Sequence, residues 1–293
     1  MSLILAVFRR GFGVHSFKTS PMKHLILFVF AFVANLSFSQ HEYADVRVVS
    51  PSYEFEEGST ERLYGDQVVL RKNPSTEASA IDTLPIGSRV KILENTKIIV
   101  QVHGNDSYWY KVKTKKGTGY IAGGLIALDS REINGGIYMV ITAQVNEQFK
   151  FRARYLKDGE FFGKEGDLNT YSFVLRVHDN RGVEGIESML VIDLFAEACG
   201  VDGGYTYIFN DGERLINAIH CTSVGDGGYW FSEKLIFPDE RGWGTHIDYE
   251  REIGEPMNDE YNWYQSRKDM LVLEWQEGYF EPNVEDITFV DEW

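Results

Sequence analysis

Three groups of residues in this chain have the type and spacing that chemistry asks for. Cys199 and Cys221 form an even pair. In an oxidising compartment such a pair closes into a disulfide; as free thiols, each needs a neighbouring base to become a nucleophile. His220 precedes Cys221 directly, but adjacent residues on a strand point to opposite faces, so these two do not make a catalytic couple. His246 and Asp248 are two apart, hence on one face of a strand, and "THIDYERE" continues with acids. They are the candidate metal pair; weak calcium binding is a separate expectation, resting on the clustered carboxylates of the acidic region. The sequence holds no His-Glu-x-x-His, no Cys-x-x-Cys and no Asp-x-Asp-x-Asp-Gly loop. In "YWYKVKTKK", Trp109, Lys111, Lys113 and Lys115 alternate onto one face, with Tyr120 on the next strand. An aromatic plane beside ammonium groups is a surface for a sugar or an anionic polymer. The plainer reading is a packed tryptophan with a solvated lysine row around it. Paired carboxylates for glycoside cleavage are numerous, and no spacing selects one pair.

These groups must be positioned by folded elements, and the composition supplies them. The 293 residues are 43% hydrophobic and 14% aromatic, enough for the cores of two domains. The net charge of −15 is uneven: residues 129–293 carry 33 acids against 14 bases, whereas residues 60–128 carry 6 against 10. So acidic a surface repels phosphate backbones and argues against a nucleic-acid partner.

The N-terminal region reads as an address. "MKHLILFVFAFVANLSFSQ" begins at Met22 with a short cationic head, continues in an apolar run and ends in the small-residue context Ser37-Phe38-Ser39. That is the layout of a secretory signal over residues 22–39, with cleavage expected after Ser39. The apolar run is shorter than a membrane-spanning helix needs, so no stable membrane span is expected after cleavage. Residues 1–21 are then expected to come from an upstream start. Residues 40–59 read as a polar, acidic linker. Export would favour a bridge between Cys199 and Cys221. A two-residue hairpin at Asp211-Gly212, however, sets Cys221 opposite Asp202, so a bridge requires a bulge.

From residue 60 to 128 the pattern is of short strands and turns. A strand runs through Leu70, a long polar loop follows, and a second strand covers Arg89–Leu93. "KIIVQV", "YWYKVKT" and "TGYIAG" give three more. Five short strands in so few residues predict a small barrel, which minimises exposed sheet edges. Val69-Leu70-Arg71, Pro74-Ser75-Thr76, the Leu84/Gly87/Val90 step, Trp109-Tyr110-Lys111-Val112 and Gly117-Thr118-Gly119-Tyr120-Ile121 occur in the order found in bacterial SH3-like domains. The segment resembles that family, with Asn73 in place of the glycine before the proline and Tyr120 in place of the usual tryptophan. The resemblance implies a binding barrel. Such domains also accompany papain-like wall peptidases, but "EACGVDG" and "IHCTS" lack the Asp-Cys-Ser-Gly type motif of those enzymes.

Residues 129–293 stay strand-like. "QFKFRARYLKDGEFFG" alternates Phe149, Phe151, Ala153 and Tyr155 against Lys150, Arg152 and Arg154, with a tight turn at Asp158-Gly159. "YSFVLRV", "YTYIFN", "YWFSEKLIFP" and "DMLVLEWQEGYFEP" continue the pattern, while "IESMLVIDLFAEA" fits helix and strand periods equally. An antiparallel sheet domain, as a sandwich or a curled sheet, is expected. "LIFPDERG" and "LEWQEGYF" resemble the region that follows such barrels in some exported bacterial proteins; this implies domain order and export and nothing about chemistry.

The fold class expected is therefore mainly β: a small barrel followed by an acidic antiparallel sheet domain. The function expected is that of an exported binding or adaptor protein in the periplasm or outside the cell. Its ligand would be a cell-wall glycan, peptidoglycan or an envelope protein, and no cofactor is required beyond weak calcium binding. A hydrolase acting on wall or extracellular glycans and a structural subunit of an envelope complex are the alternatives.

Overall fold

A computed structural model describes residues 47–50, 52–170, 172–196, 198–242, 244–258 and 263–287. The expected leader, the stretch before it and the opening of the 40–59 segment lie outside the described residues. The fold is mainly β: a barrel followed by two antiparallel sheets.

The barrel is built from β1 (Thr60–Arg62), β2 (Val68–Arg71), β3 (Ala80–Leu84), β4 (Arg89–Val102), β5 (Asn105–Thr114) and β6 (Gly117–Ala122). They pair in the order β1-β4-β5-β6-β2-β3. Alternation puts Leu70, Val90, Ile92, Val112 and Ile121 inside, all fully buried. Two features differ from the sequence reading. The polar loop after Leu70 contains β3, whose Ala80, Ile81 and Thr83 stay exposed, so no buried period marks it. "RVKIL" and "KIIVQV" are one strand, bulged between Asn95 and Ile99. Thr96 Oγ1 donates to the Trp109 carbonyl at 2.7 Å in that bulge, and Lys97 takes a φ of 57°.

The second sheet, β7 (Asp129–Ile133), β8 (Gly136–Val145), β9 (Gln148–Lys157) and β10 (Glu160–Asp167), is a meander whose β8 is covered on both faces, while β10 is largely exposed. Met139 and Ile141 pack on Tyr64, Ile86 and Ala127 of the barrel side. Tyr138, Val140, Phe151 and Ala153 face the other way and meet the third sheet. The turn at Asp158 (φ 53°) and Gly159 (φ 89°) is the two-residue hairpin the sequence demands.

The third sheet is an eight-stranded meander: β11 (Phe173–Asp179), β12 (Ser188–Leu194), β13 (Gly203–Asn210), β14 (Leu215–Asp226), β15 (Tyr229–Ile236), β16 (Ile247–Asn258), β17 (Trp263–Gln276) and β18 (Tyr279–Glu281). One turn of helix, α1 (Pro238–Arg241), joins β15 to β16. β12 is the segment whose period was ambiguous. It is a strand with every residue buried, because Leu190, Ile192 and Leu194 fill the core against the second sheet while Met189 and Val191 join another on the opposite face. That other core links Tyr207 and Phe209 to Leu235, Tyr249, Leu273 and Phe280, so the sheet curls on itself. Each large apolar side chain buried in these cores contributes about 1.5–3 kcal/mol.

The hairpin at Asp211-Gly212 departs from the two-residue expectation. Asp211 Oδ1 accepts the N–H groups of Glu213 (3.0 Å) and Arg214 (2.9 Å), which organises a four-residue loop and pairs Asn210 with Leu215. With a bulge at Tyr207/Ile208 the register sets Cys221 opposite Tyr205.

Residues 47–50 and 52–59, in the stretch read as a linker, are docked. Val49 is fully buried and exchanges both backbone hydrogen bonds with Phe173 at 2.8 and 3.0 Å. Arg47 reaches Glu61 and the Leu128 carbonyl, and Phe55 is buried against Tyr110 in the barrel core.

Candidate functional site

The barrel strands extend past the barrel core and make a cleft. On β5, Tyr110 and Val112 lie within the core, and Tyr108 continues the same face beyond it. There the 52–55 segment, the β4–β5 hairpin and the end of β8 enclose a cleft of 590 Å³, a size suited to a small ligand or a short stretch of polymer. Its walls mix rings (Tyr53, Phe55, Tyr108) with amides and hydroxyls (Asn105, Ser107, Thr142).

The geometry explains how the walls are held. The Tyr110 hydroxyl accepts hydrogen bonds from the Phe55 N–H and Asn95 Nδ2, both at 3.3 Å, tying the 52–55 segment to the barrel. Burial pushes the Tyr110 phenol up to about 12, so it stays protonated. Asn95 Nδ2 also donates to Glu54 at 2.9 Å, and Lys97 pairs with Glu54 while its ammonium lies 5.1 Å over the Tyr108 ring. Lys97 thus spans the rim from the 52–55 segment to β5. On the far wall, Asn105 Nδ2 donates to Thr142 Oγ1 at 3.2 Å, and the Gln144 N–H donates to the His103 carbonyl at 3.0 Å. Close behind, Arg152 donates to His103 Nδ1 at 3.1 Å, and the Arg154 guanidinium lies 4.5 Å over the Tyr64 ring. Burial, then Arg152 and Arg154, lower the His103 pKa.

The site residues expected from sequence are distributed differently. Trp109 shares its face with Lys111 and Lys113, as alternation requires, but it is only 5% exposed. It is therefore a packed side chain rather than an open plane beside the lysines. Period two decides the side of a sheet on which a residue stands; what covers that side depends on the rest of the chain. Lys113 and Lys115 are exposed, and Lys111 and Tyr120 are half-buried cross-strand partners. None of these five residues lines the cleft.

Cys199 and Cys221 are both free, Cys199 exposed and Cys221 fully buried in the curled core beside Leu235 and Tyr249. The expected bridge is absent because the four-residue loop and the bulge move Cys221 opposite Tyr205. Burial raises the Cys221 thiol far above its usual range, which keeps it protonated and unreactive. His246 and Asp248 do come together, with Nε2 3.7 Å from Oδ1. Arg241 from α1 enters the same cluster, pairing with Asp248 and donating to His246 Nε2 at 2.6 Å. A guanidinium thus sits where a cation would bind. Among the described residues no three His, Cys, Asp or Glu side chains gather as a metal site.

Sequence reading missed the cleft residues because Tyr108 shares its face with core residues, and the 52–55 segment looked like linker. The aromatic pair Tyr53 and Phe55, two apart on one face, was the available signal. The cleft is suited to binding: rings stack on flat apolar surfaces, and amides and hydroxyls take polar edges. Its lining also carries the carboxylates of Glu54 and Asp106.

Residues 66–127 match the family model of the bacterial SH3 domain, and the barrel is a domain of that family, a class of binding module. No curated protein and no solved structure matches the chain. No helix among the described residues is long and apolar enough to cross a membrane.

Proposed function

We propose that this is an exported, envelope-associated binding or adaptor protein whose SH3 barrel holds a cell-wall ligand in the cleft beside Tyr108. The observation that carries this reading is the polar, ring-lined cleft of 590 Å³ on a barrel of a binding family. Bacterial SH3 domains commonly bind wall components, and the leader-like residues 22–39 support export. The docked 52–55 segment and the second sheet supply two walls of the cleft, so the barrel works as part of the larger body. Lys113 and Lys115, exposed on another side, offer charge to an anionic polymer but no enclosure. The reading requires no cofactor.

The test is co-sedimentation of the chain from Gln40 onward with purified peptidoglycan, with soluble products followed in parallel. Retention without products is expected. Tyr108→Ala should weaken it about tenfold, as loss of one stacking contact implies, while the Lys113→Ala/Lys115→Ala double variant should change it less. No retention, or retention unaffected by Tyr108→Ala in a folded protein, would overturn the reading. Release of soluble products would favour the hydrolase alternative.

A further inference from the structure

The curled sheet holds a second cavity, of 660 Å³, between β14, β15, β16 and the segment 278–287. It is separate from the barrel cleft and lined by different residues. Its chemistry centres on Glu233 and Arg251, which stand directly opposite each other on β15 and β16. Glu233 is held from two sides: the Tyr249 hydroxyl donates to Oε1, and the Thr222 N–H donates to Oε2 at 2.8 Å. Tyr249 is buried, and burial together with the bond to Glu233 raises its pKa, so it remains a donor. The Arg251 guanidinium lies 5.2 Å over the Phe231 ring. His220 adds a fixed polar wall. Its Nε2 accepts from Asn169 at 3.3 Å and its Nδ1 is 2.9 Å from Thr206 Oγ1; burial lowers its pKa, which keeps it neutral. Tyr279, 58% exposed, offers an open ring at the cavity.

The lining narrows the ligand class. A simple anion meets the carboxylates of Glu233 and Glu285, and a simple cation meets Arg251. A wholly apolar ligand would strip water from charged groups without replacing it. A hydroxyl both donates and accepts, so neighbouring hydroxyls can serve a carboxylate, which only accepts, beside a guanidinium, which only donates. A pyranose ring adds an apolar face of the size that lies on a tyrosine. We infer that this cavity is a second ligand site, for a short neutral saccharide, with Glu233 and Arg251 gripping hydroxyl groups and Tyr279 supporting a ring. A cavity of this volume accommodates a di- or trisaccharide segment.

The test is calorimetric titration of the chain from Gln40 onward with chitotriose, cellotriose and maltotriose, and with glycine and acetate as small charged probes. Binding of at least one trisaccharide is expected. Tyr279→Ala, at an exposed position that folding does not depend on, should weaken it about tenfold, and Glu233→Gln at least as much. Tyr108→Ala in the barrel cleft should leave it unchanged, which separates this site from the one proposed above. Absence of binding by all three trisaccharides, binding insensitive to Tyr279→Ala, or binding of glycine or acetate in their place would overturn the inference.

Discussion

Replacing Gly104 with alanine is expected to loosen the barrel from the second sheet, and the structure supplies its own control. His103-Gly104 and Asp158-Gly159 are two-residue turns of the same kind, with φ values of 55° and 81° in the first and 53° and 89° in the second. An alanine at either glycine meets left-handed backbone strain of about 1–2 kcal/mol. At Gly159 nothing lies within 4 Å of the added Cβ. At Gly104 the Cβ would stand 2.2 Å from the Gln144 carbonyl oxygen, a backbone atom with no side-chain freedom to move aside. The hairpin must therefore shift away from β8. That strains the 3.0 Å bond from the Gln144 N–H to the His103 carbonyl, worth about 0.5–1.5 kcal/mol net, and adds an overpacking cost of about 1–3 kcal/mol. Gly159→Ala should cost about 1–2 kcal/mol and Gly104→Ala roughly 2–4 kcal/mol more. Urea unfolding of the two variants, followed by circular dichroism, measures the difference. Because the hairpin forms one wall of the cleft, Gly104→Ala should also reduce peptidoglycan retention, and Gly159→Ala should not. Equal destabilisation of the two variants, within about 0.5 kcal/mol, would refute the reasoning.

Further outcomes follow from single groups. The Tyr155 hydroxyl is buried with no hydrogen-bond partner among the described residues, so Tyr155→Phe should stabilise the fold by about 1 kcal/mol, read as a higher urea midpoint. Burial lowers the pKa values of His103, His178 and His220, so the unfolded chain takes up their protons first. The stability they confer is complete above the unfolded value of about 6.5 and is lost as the pH falls through their folded values. The net charge of −15 relaxes over the same range and opposes this, so the decisive comparison is with His103→Gln, whose unfolding midpoint should fall less between about pH 7 and pH 5. An identical pH slope in the two proteins would show that His103 carries no such linkage. In native protein one thiol, Cys199, should react quickly with a disulfide reagent, and Cys221 should react only after unfolding; two unreactive cysteines that appear on reduction would reveal a bridge.

Much of the fold was legible because strand alternation is a local property. The β9–β10 hairpin, with Asp158-Gly159 at its turn and Phe151, Ala153 and Tyr155 facing inward, follows from neighbouring residues alone. The family resemblance was legible for the same reason, since it rests on short motifs in order. β3 was not, because only Leu84 at its end is buried and its pairing with β2 is what makes it a strand. The register of β13 on β14 was not, because Asp211 spends its side chain on two backbone N–H groups and lengthens the loop.

A β-built chain, the faces of its strands, an acidic C-terminal region and a barrel of recognisable type are all present in the residues alone, since composition and period two are written residue by residue. What stands over each face is a matter of the folded chain. It buried Trp109, parted Cys221 from Cys199, put Arg241 beside His246 and Asp248, and left Tyr108 at the lip of a cleft. Each of those outcomes depends on residues far apart in the chain, brought together by burial of apolar surface that no local pattern encodes.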